Sequence, residues 1–209
     1  MKIEASALGV ERGGRLVFAD LGFQLEAGQA LRVTGPNGAG KSTLLRAIAG
    51  LLPLSAGQIE VTPAADARRA ELCHYVGHAD ALKPNLTAFE NLSFLAALLA
   101  TGPGQQPGAA GIEAALARLG LSGVADLPSA YLSAGQKRRA ALARLIAVFR
   151  PIWLLDEPLN ALDLAAQAVI TEIMAEHLAG GGIVIAATHA PLAIDAAELA
   201  LGRTASAAP

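Results

Sequence analysis

Apolar and polar positions fall in blocks along this chain, and glycine and proline mark many of the boundaries. Residues 1–34 read as strands: Leu16 to Leu25 is largely apolar, and Ala30-Leu31-Arg32-Val33 leads straight into a glycine-rich loop. A helix is expected from Lys41 to about Ala49, with Gly50 as its stop. Ala64–Arg69 is polar and reads as an exposed turn, and Leu72 to Val76 reads as a strand. Thr87-Ala88-Phe89-Glu90 has the spacing of a capping box, which predicts a helix to about Ala100. Thr101–Gly111, rich in Gly, Pro and Gln, reads as a flexible loop. Ile112, Ala115, Leu116 and Leu119 then return to helical spacing, so 87–128 is expected to form a helical subdomain. After Leu132 one long helix is expected to Phe149, ending before Pro151. Ile152–Leu155 and Ile183–Ala187 are apolar strands, with a helix over Leu164–Leu178 between them.

Strands alternating with helices imply an α/β fold with a largely parallel sheet covered on both faces. The length, 209 residues, suits one domain over 1–209 that contains the helical subdomain. No internal repeat or heptad array is visible.

Composition adds one question. The chain is 53% hydrophobic and 16% charged, with a mean hydropathy of +0.44. Two readings are open: a deep Ala/Leu-rich core, or apolar surface that a partner covers. The longest apolar stretches, Asn91–Ala100 and Ile183–Ile194, fall short of the ~20 residues of a membrane span. The start, Met1-Lys2-Ile3-Glu4, lacks the pattern of a signal peptide. A net charge of −2 gives no overall pull toward nucleic acid. The only cysteine, Cys73, allows no intrachain disulfide and suits a reducing compartment.

Gly35-Pro36-Asn37-Gly38-Ala39-Gly40-Lys41-Ser42, followed by Thr43, matches G-x-x-x-x-G-K-[ST] in full. The glycines let backbone N–H groups converge on a phosphate, and the helix beginning near Lys41 points its positive end at the same anion. Lys41 would lie between the β- and γ-phosphates of ATP, and Ser42 would offer its hydroxyl to Mg²⁺. The apolar strand Ile152–Leu155 runs into Asp156 and Glu157. Ligands of parallel sheets bind beyond the carboxyl ends of the strands. Asp156 would then reach Mg²⁺, and Glu157 would polarise the attacking water. The rival reading has the two acids capping the next helix.

Leu132-Ser133-Ala134-Gly135-Gln136 resembles the LSGGQ signature of the ABC ATPases, with Ala134 in place of the first glycine. It lies between the phosphate loop and the Asp-Glu strand, in the order that family requires. The resemblance covers nearly the whole chain and implies a phosphate-loop NTPase fold with an ABC-type mixed sheet and an inserted helical subdomain. It also implies a head-to-tail dimer, in which Ser133, Ala134, Gly135 and Gln136 of one copy cover the γ-phosphate held by the other. Ala161-Leu162-Asp163 matches the family's D-loop, and His189 its switch histidine. Two departures stand out. His78 occupies the place of the usual glutamine, where it either hydrogen-bonds water or the metal shell, or faces a partner. Arg12 stands roughly where the family has an adenine-stacking aromatic.

Within the family, Tyr75–His78, Leu86–Leu92, Tyr131–Gln136, Trp153–Pro158 and Thr188–Leu192 resemble the ATPase subunit of cytochrome c maturation systems. That resemblance implies integral-membrane partner subunits, a peripheral position on the cytoplasmic face of the inner membrane and a role in heme delivery. No heme site is legible. The ATPase of another small-molecule exporter is the alternative. Translation factors with two cassettes do not fit a single phosphate loop, and DNA-repair ATPases do not fit a chain without a coiled coil.

Overall fold

In the computed structural model, residues 1–63, 69–100 and 107–202 are described. The turn expected at 64–69, apart from Arg69, and most of the loop expected at 101–111 lie outside them. Where their ends are visible the elements start earlier than expected: Arg69 opens a short helix, and Ala109 already begins the next one.

The chain divides into two compact units, one of Met1–Tyr75, Pro151–Glu157 and Met174–Pro209, the other of Val76–Arg150 and Pro158–Ile173. The first unit holds two sheets. β1 (Lys2–Arg12), β2 (Arg15–Glu26) and β4 (Ala56–Thr62) form an antiparallel sheet in the order β2-β1-β4. The second sheet has the order β5-β6-β7-β3-β8, from β5 (Cys73–Val76), β6 (Ile152–Asp156), β7 (Ile183–Ala187), β3 (Ala30–Thr34) and β8 (Ala197–Ala200). The β6·β7, β7·β3 and β3·β8 pairs are all parallel. Every residue of β6 and β7 is buried, which is why both read as unbroken apolar runs. α1 (Lys41–Ile48) packs Leu44, Leu45 and Ile48 into the same core as Val33, Leu154 and Ile185.

β8 is not legible in the sequence. Its burial pattern is mostly exposed, so it carries no apolar run, and an ion pair helps to hold it to β3. Arg32 Nη2 donates to Glu198 at 2.6 Å, and Thr34 Oγ1 donates to the same carboxylate at 2.9 Å. These two donors hold the Glu198 carboxyl below its ordinary value. The strand expected from Leu72 starts at Cys73, because Leu72 closes the short helix α2 (Arg69–Leu72).

The second unit is mainly helical. α3 (Ala88–Leu99) starts with the expected capping box: Glu90 N–H donates to Thr87 Oγ1 and Thr87 N–H to the Glu90 carboxylate. Buried Asn91 accepts from Lys83 N–H and donates to the carbonyls of Lys83, Leu86 and Thr87 and to Ser129 Oγ. It thereby shapes the chain entering α3. α4 (Ala109–Arg118) buries Ile112, Ala115 and Leu116, as the spacing predicts. The single helix expected from Leu132 to Phe149 is two helices, α5 (Ala134–Leu142) and α6 (Arg144–Ala147). At the break, buried Arg144 donates Nε to the Ala141 carbonyl at 2.8 Å, an acceptor that a continuous helix would use itself. The chain turns extended at Val148, ahead of Pro151.

α7 (Leu164–Ala179) ends in a feature the sequence did not announce. The His177 ring stacks on Trp153 of β6 at 3.8 Å between centroids and 9° between planes. Its Nε2 lies 3.1 Å from the Pro151 carbonyl. Burial pulls the His177 pKa below its usual value of 6.5. The unfolded chain therefore binds a proton here more readily than the folded one, and stability falls as pH drops through about 6.5. Thermal melts between pH 7.5 and 5.5 are expected to show this slope. His177→Phe, which keeps a ring on Trp153 but cannot titrate, is expected to flatten it.

Candidate functional site

The phosphate loop forms because β3 ends at Thr34 and α1 begins at Lys41, leaving Gly35–Gly40 to turn the chain. Gly40 precedes the helix at φ +99°, and a Cβ there would lie 2.6 Å from Val17 Cγ1 of β2. Only glycine meets both conditions. No side chain caps α1, so its first-turn N–H groups remain available to an anion. Ser42 and Thr43 are partly exposed on that first turn.

Lys41 is buried, and its ammonium is turned into the loop. Nζ donates to the carbonyl of Gly35 at 2.7 Å and of Pro36 at 3.2 Å. It also lies 3.1 Å from Nε2 of His189. That same nitrogen is 3.3 Å from Asn37 Oδ1 and 3.9 Å from Glu157 Oε1. With the ring proton on Nδ1, Nε2 accepts from Lys41; with it on Nε2, the ring donates to Asn37. The histidine thus joins the loop lysine to the second of the two acids.

The acids leave the sheet by different routes. Asp156 closes β6 opposite Ala187 of β7 and is 5% exposed. Glu157 leaves the ladder at φ +48°, its N–H donating to the Ala187 carbonyl at 2.8 Å. A left-handed conformation in a non-glycine residue costs of order 1 kcal/mol or more and concentrates at functional sites. Here it turns the Glu157 carboxylate toward His189. The rival reading, in which the pair caps the next helix, finds no support: the residue that accepts from the first turn of α7 is Asp163, through Ala166 N–H at 2.8 Å.

The signature segment lies in the second unit. Ser133 caps α5 in a capping box with Gln136: Gln136 N–H donates to Ser133 Oγ and Ser133 N–H to Gln136 Oε1. Ala134, at the family's glycine position, is exposed. Gly135 is different. A Cβ on it would lie 2.9 Å from the Ala161 carbonyl, so the glycine admits the backbone of the D-loop turn, where Ala161 sits at φ +62°. His78 is exposed, one residue after a glycine whose carbonyl the buried Arg138 holds at 2.8 Å. Arg12, exposed, pairs with Arg15 at the tip of the β1–β2 hairpin. Sequence reasoning singled out neither Arg138 nor its partner Asp80. Arg138 sits in a Lys-Arg-Arg run that reads as a solvated face, yet its spacing from Leu142 and Leu145 places it on a buried one.

A strand–loop–helix cradle closing on a buried lysine, beside an acid pair at the edge of a parallel sheet, defines the phosphate-loop class of nucleotide-binding folds. A family profile described as ABC transporter matches residues 18–160. Among curated proteins, a cytochrome c biogenesis ATP-binding export protein CcmA from Nitrobacter winogradskyi is 52% identical, covering 97% of this chain and 98% of its own. One of the same name from Nitrobacter hamburgensis is 53% identical, covering 98% and 100%. A solved putative ABC transporter ATP-binding protein from Pyrococcus furiosus shares the fold at a TM-score of 0.83 and 24% identity, over 96% of this chain and 98% of that one. The chain belongs to the ABC transporter family, in the group of its ATP-binding export subunits.

The contact at Gly135 makes a test within the second unit. Gly135→Ala is expected to destabilise the protein by roughly 1–3 kcal/mol, the usual penalty of forcing atoms into a filled site. Ala134→Gly, at an exposed position, is expected to cost less than about 1 kcal/mol. Urea denaturation of the two variants reads the difference.

Proposed function

We propose that this chain hydrolyses ATP to power a membrane-bound ABC complex of cytochrome c biogenesis. The observation that carries the hydrolytic reading is the cluster in which His189 Nε2 stands 3.1 Å from Lys41 Nζ and 3.9 Å from Glu157 Oε1. One imidazole thereby touches the group that binds the terminal phosphate and approaches the group that activates water.

The loop N–H groups from Gly35 to Gly40, with the start of α1, hold the phosphates. Lys41 exchanges its contacts with the Gly35 and Pro36 carbonyls for β- and γ-phosphate oxygens, which are charged and bind an ammonium more strongly. Ser42 and Asp156 offer one hydroxyl and one carboxylate, a donor set that fits Mg²⁺, which keeps several waters and takes its other ligands from phosphates. That ion, when bound, neutralises charge building up on the phosphates. Glu157 orients the attacking water and accepts its proton, while His189 contacts the γ-phosphate. Ser133–Gln136 of a second copy complete the site from across a head-to-tail dimer.

Membrane coupling draws on two features. The relatives are named for export in cytochrome c biogenesis. No helix among the described residues is long and apolar enough to cross a membrane, so membrane association falls to partner subunits. The second unit exposes Leu98 at 69% and Tyr131 at 79%, together with Phe94, Leu127 and Phe149. These exposed apolar side chains support docking of the second unit on integral-membrane subunits at the cytoplasmic side of the inner membrane.

Lys41→Ala is expected to weaken ATP binding at least about tenfold, a charged contact being worth ~1.5–3 kcal/mol. Glu157→Gln is expected to bind ATP yet hydrolyse it roughly 100- to 10,000-fold more slowly and to accumulate as a dimer with Mg-ATP in light scattering. A strain carrying Glu157→Gln is expected to lack mature c-type cytochromes and keep its b-type ones. Normal c-type cytochromes would leave an exporter of another small molecule as the better account.

Leu98→Glu and Tyr131→Glu are expected to release the protein from membrane fractions while basal ATPase stays intact. Loss of ATPase with retained membrane association would refute the docking face.

A further inference from the structure

The structure assigns Arg138 as a positioning residue that locks three segments of the second unit to one another: the signature helix α5, the turn carrying His78, and the start of the D-loop. Arg138 lies five residues beyond Ser133 on α5 and is 3% exposed. Its Nη1 donates to the Gly77 carbonyl at 2.8 Å and contacts Asp80 Oδ1 at 3.3 Å. Its Nε reaches the carbonyl of Pro158, the residue after Glu157, at 3.4 Å. Gly77 and Asp80 flank His78 on either side. Two of these partners are backbone carbonyls, so the side chain registers where those segments lie, and the Asp80 carboxylate adds a charged anchor.

Stability alone gives a weak reason for this arrangement. Taking a guanidinium out of water costs several kcal/mol, and buried charges are often replaceable by apolar residues without loss. The cost is raised by a second buried arginine. Burial, together with the neighbouring Arg138 charge, pulls the Arg144 guanidinium down to about 10. Asp80 is the carboxylate that offsets both, and its side chain is 26% exposed. What a guanidinium supplies, and an apolar residue cannot, is a rigid planar fork with donors in several fixed directions. A displacement of the 77–80 turn therefore pulls directly on α5, and through it on Ser133–Gln136, and on the chain that leaves Glu157. Arg138 touches neither nucleotide nor water in this scheme; it sets the geometry of residues that do.

The inference rests on the hydrolytic reading above, and its test separates the two. Wild type, Arg138→Lys, Arg138→Gln, Asp80→Asn and Arg139→Lys are compared for melting temperature, ATP affinity, KM and kcat with Mg-ATP. Lysine keeps the charge of Arg138 but is a point donor and cannot span the three partners. Arg138→Lys is expected to keep its ATP affinity and its fold while kcat falls roughly 10- to 100-fold, the scale of a small misplacement of reacting groups. Asp80→Asn is expected to lower kcat less, and the Arg138→Lys/Asp80→Asn pair to fall no further than Arg138→Lys alone, because the two residues act as one unit. Arg139→Lys, whose guanidinium serves the Leu119 and Gly120 carbonyls, is expected to keep wild-type kcat. An equal fall in Arg139→Lys, or a loss of kcat that follows loss of folded protein, would overturn the positioning role. If Arg138→Gln unfolds, Arg138→Lys and Asp80→Asn still decide. Should Glu157→Gln hydrolyse at the wild-type rate, the hydrolytic reading itself fails; should it be inactive while Arg138→Lys turns over normally, only the role of Arg138 falls.

Discussion

Three neighbouring parallel strands set the geometry on which the first unit depends. β3, β7 and β6 pair in register, so that Val33 lies opposite Ala187 and Ala187 opposite Asp156. Parallel pairing makes the strands end together, and each end releases a segment of the candidate site: the phosphate loop after β3, Thr188 and His189 after β7, Glu157 after β6. β6 and β7 are buried throughout and apolar but for Asp156, so a one-residue slip would turn core side chains outward and is strongly disfavoured. That register is what lets Lys41 and His189, 148 positions apart, meet at 3.1 Å.

Around this edge the charged and strained groups are held by backbone. Lys41 is satisfied by loop carbonyls and His189, and Glu157 is fixed by its N–H on Ala187. On the hydrolytic reading proposed above, such contacts preorganise the site before any nucleotide arrives, which is where electrostatic catalysis gains its advantage over water. The second unit uses the same economy differently. Ser133 spends its oxygen on a capping box, Gly135 gives up a side chain to admit the Ala161 carbonyl, and Arg138 is buried to hold Gly77 and Asp80.

Local signals decided the elements that were legible. The phosphate loop, the Thr87 capping box and the β6 and β7 strands each depend on residues adjacent in sequence, and their chemistry is readable in a short window. The elements that were not legible depend on distant partners. β8 is mostly exposed and is held to β3 by Arg32 and Thr34, more than 160 positions away. The helix expected through 149 breaks at Ala143, where a buried arginine draws off a carbonyl. His177 looks like an ordinary polar residue near a helix end until the fold lays it on Trp153.

The sequence by itself determined the class of fold, the glycine-rich loop between β3 and α1 and the membership of the ABC transporter family, because those reside in residue types at fixed short spacings. Only the tertiary structure decided which of the expected site residues actually meet. It brought His189 onto Lys41 and near Glu157, set the Ala161 carbonyl against Gly135, and buried Arg138 against Gly77 and Asp80. The physical reason is the range of the interactions. A hydrogen bond acts over about 3 Å, and no pattern along one chain states which residues a folded backbone will bring within that distance.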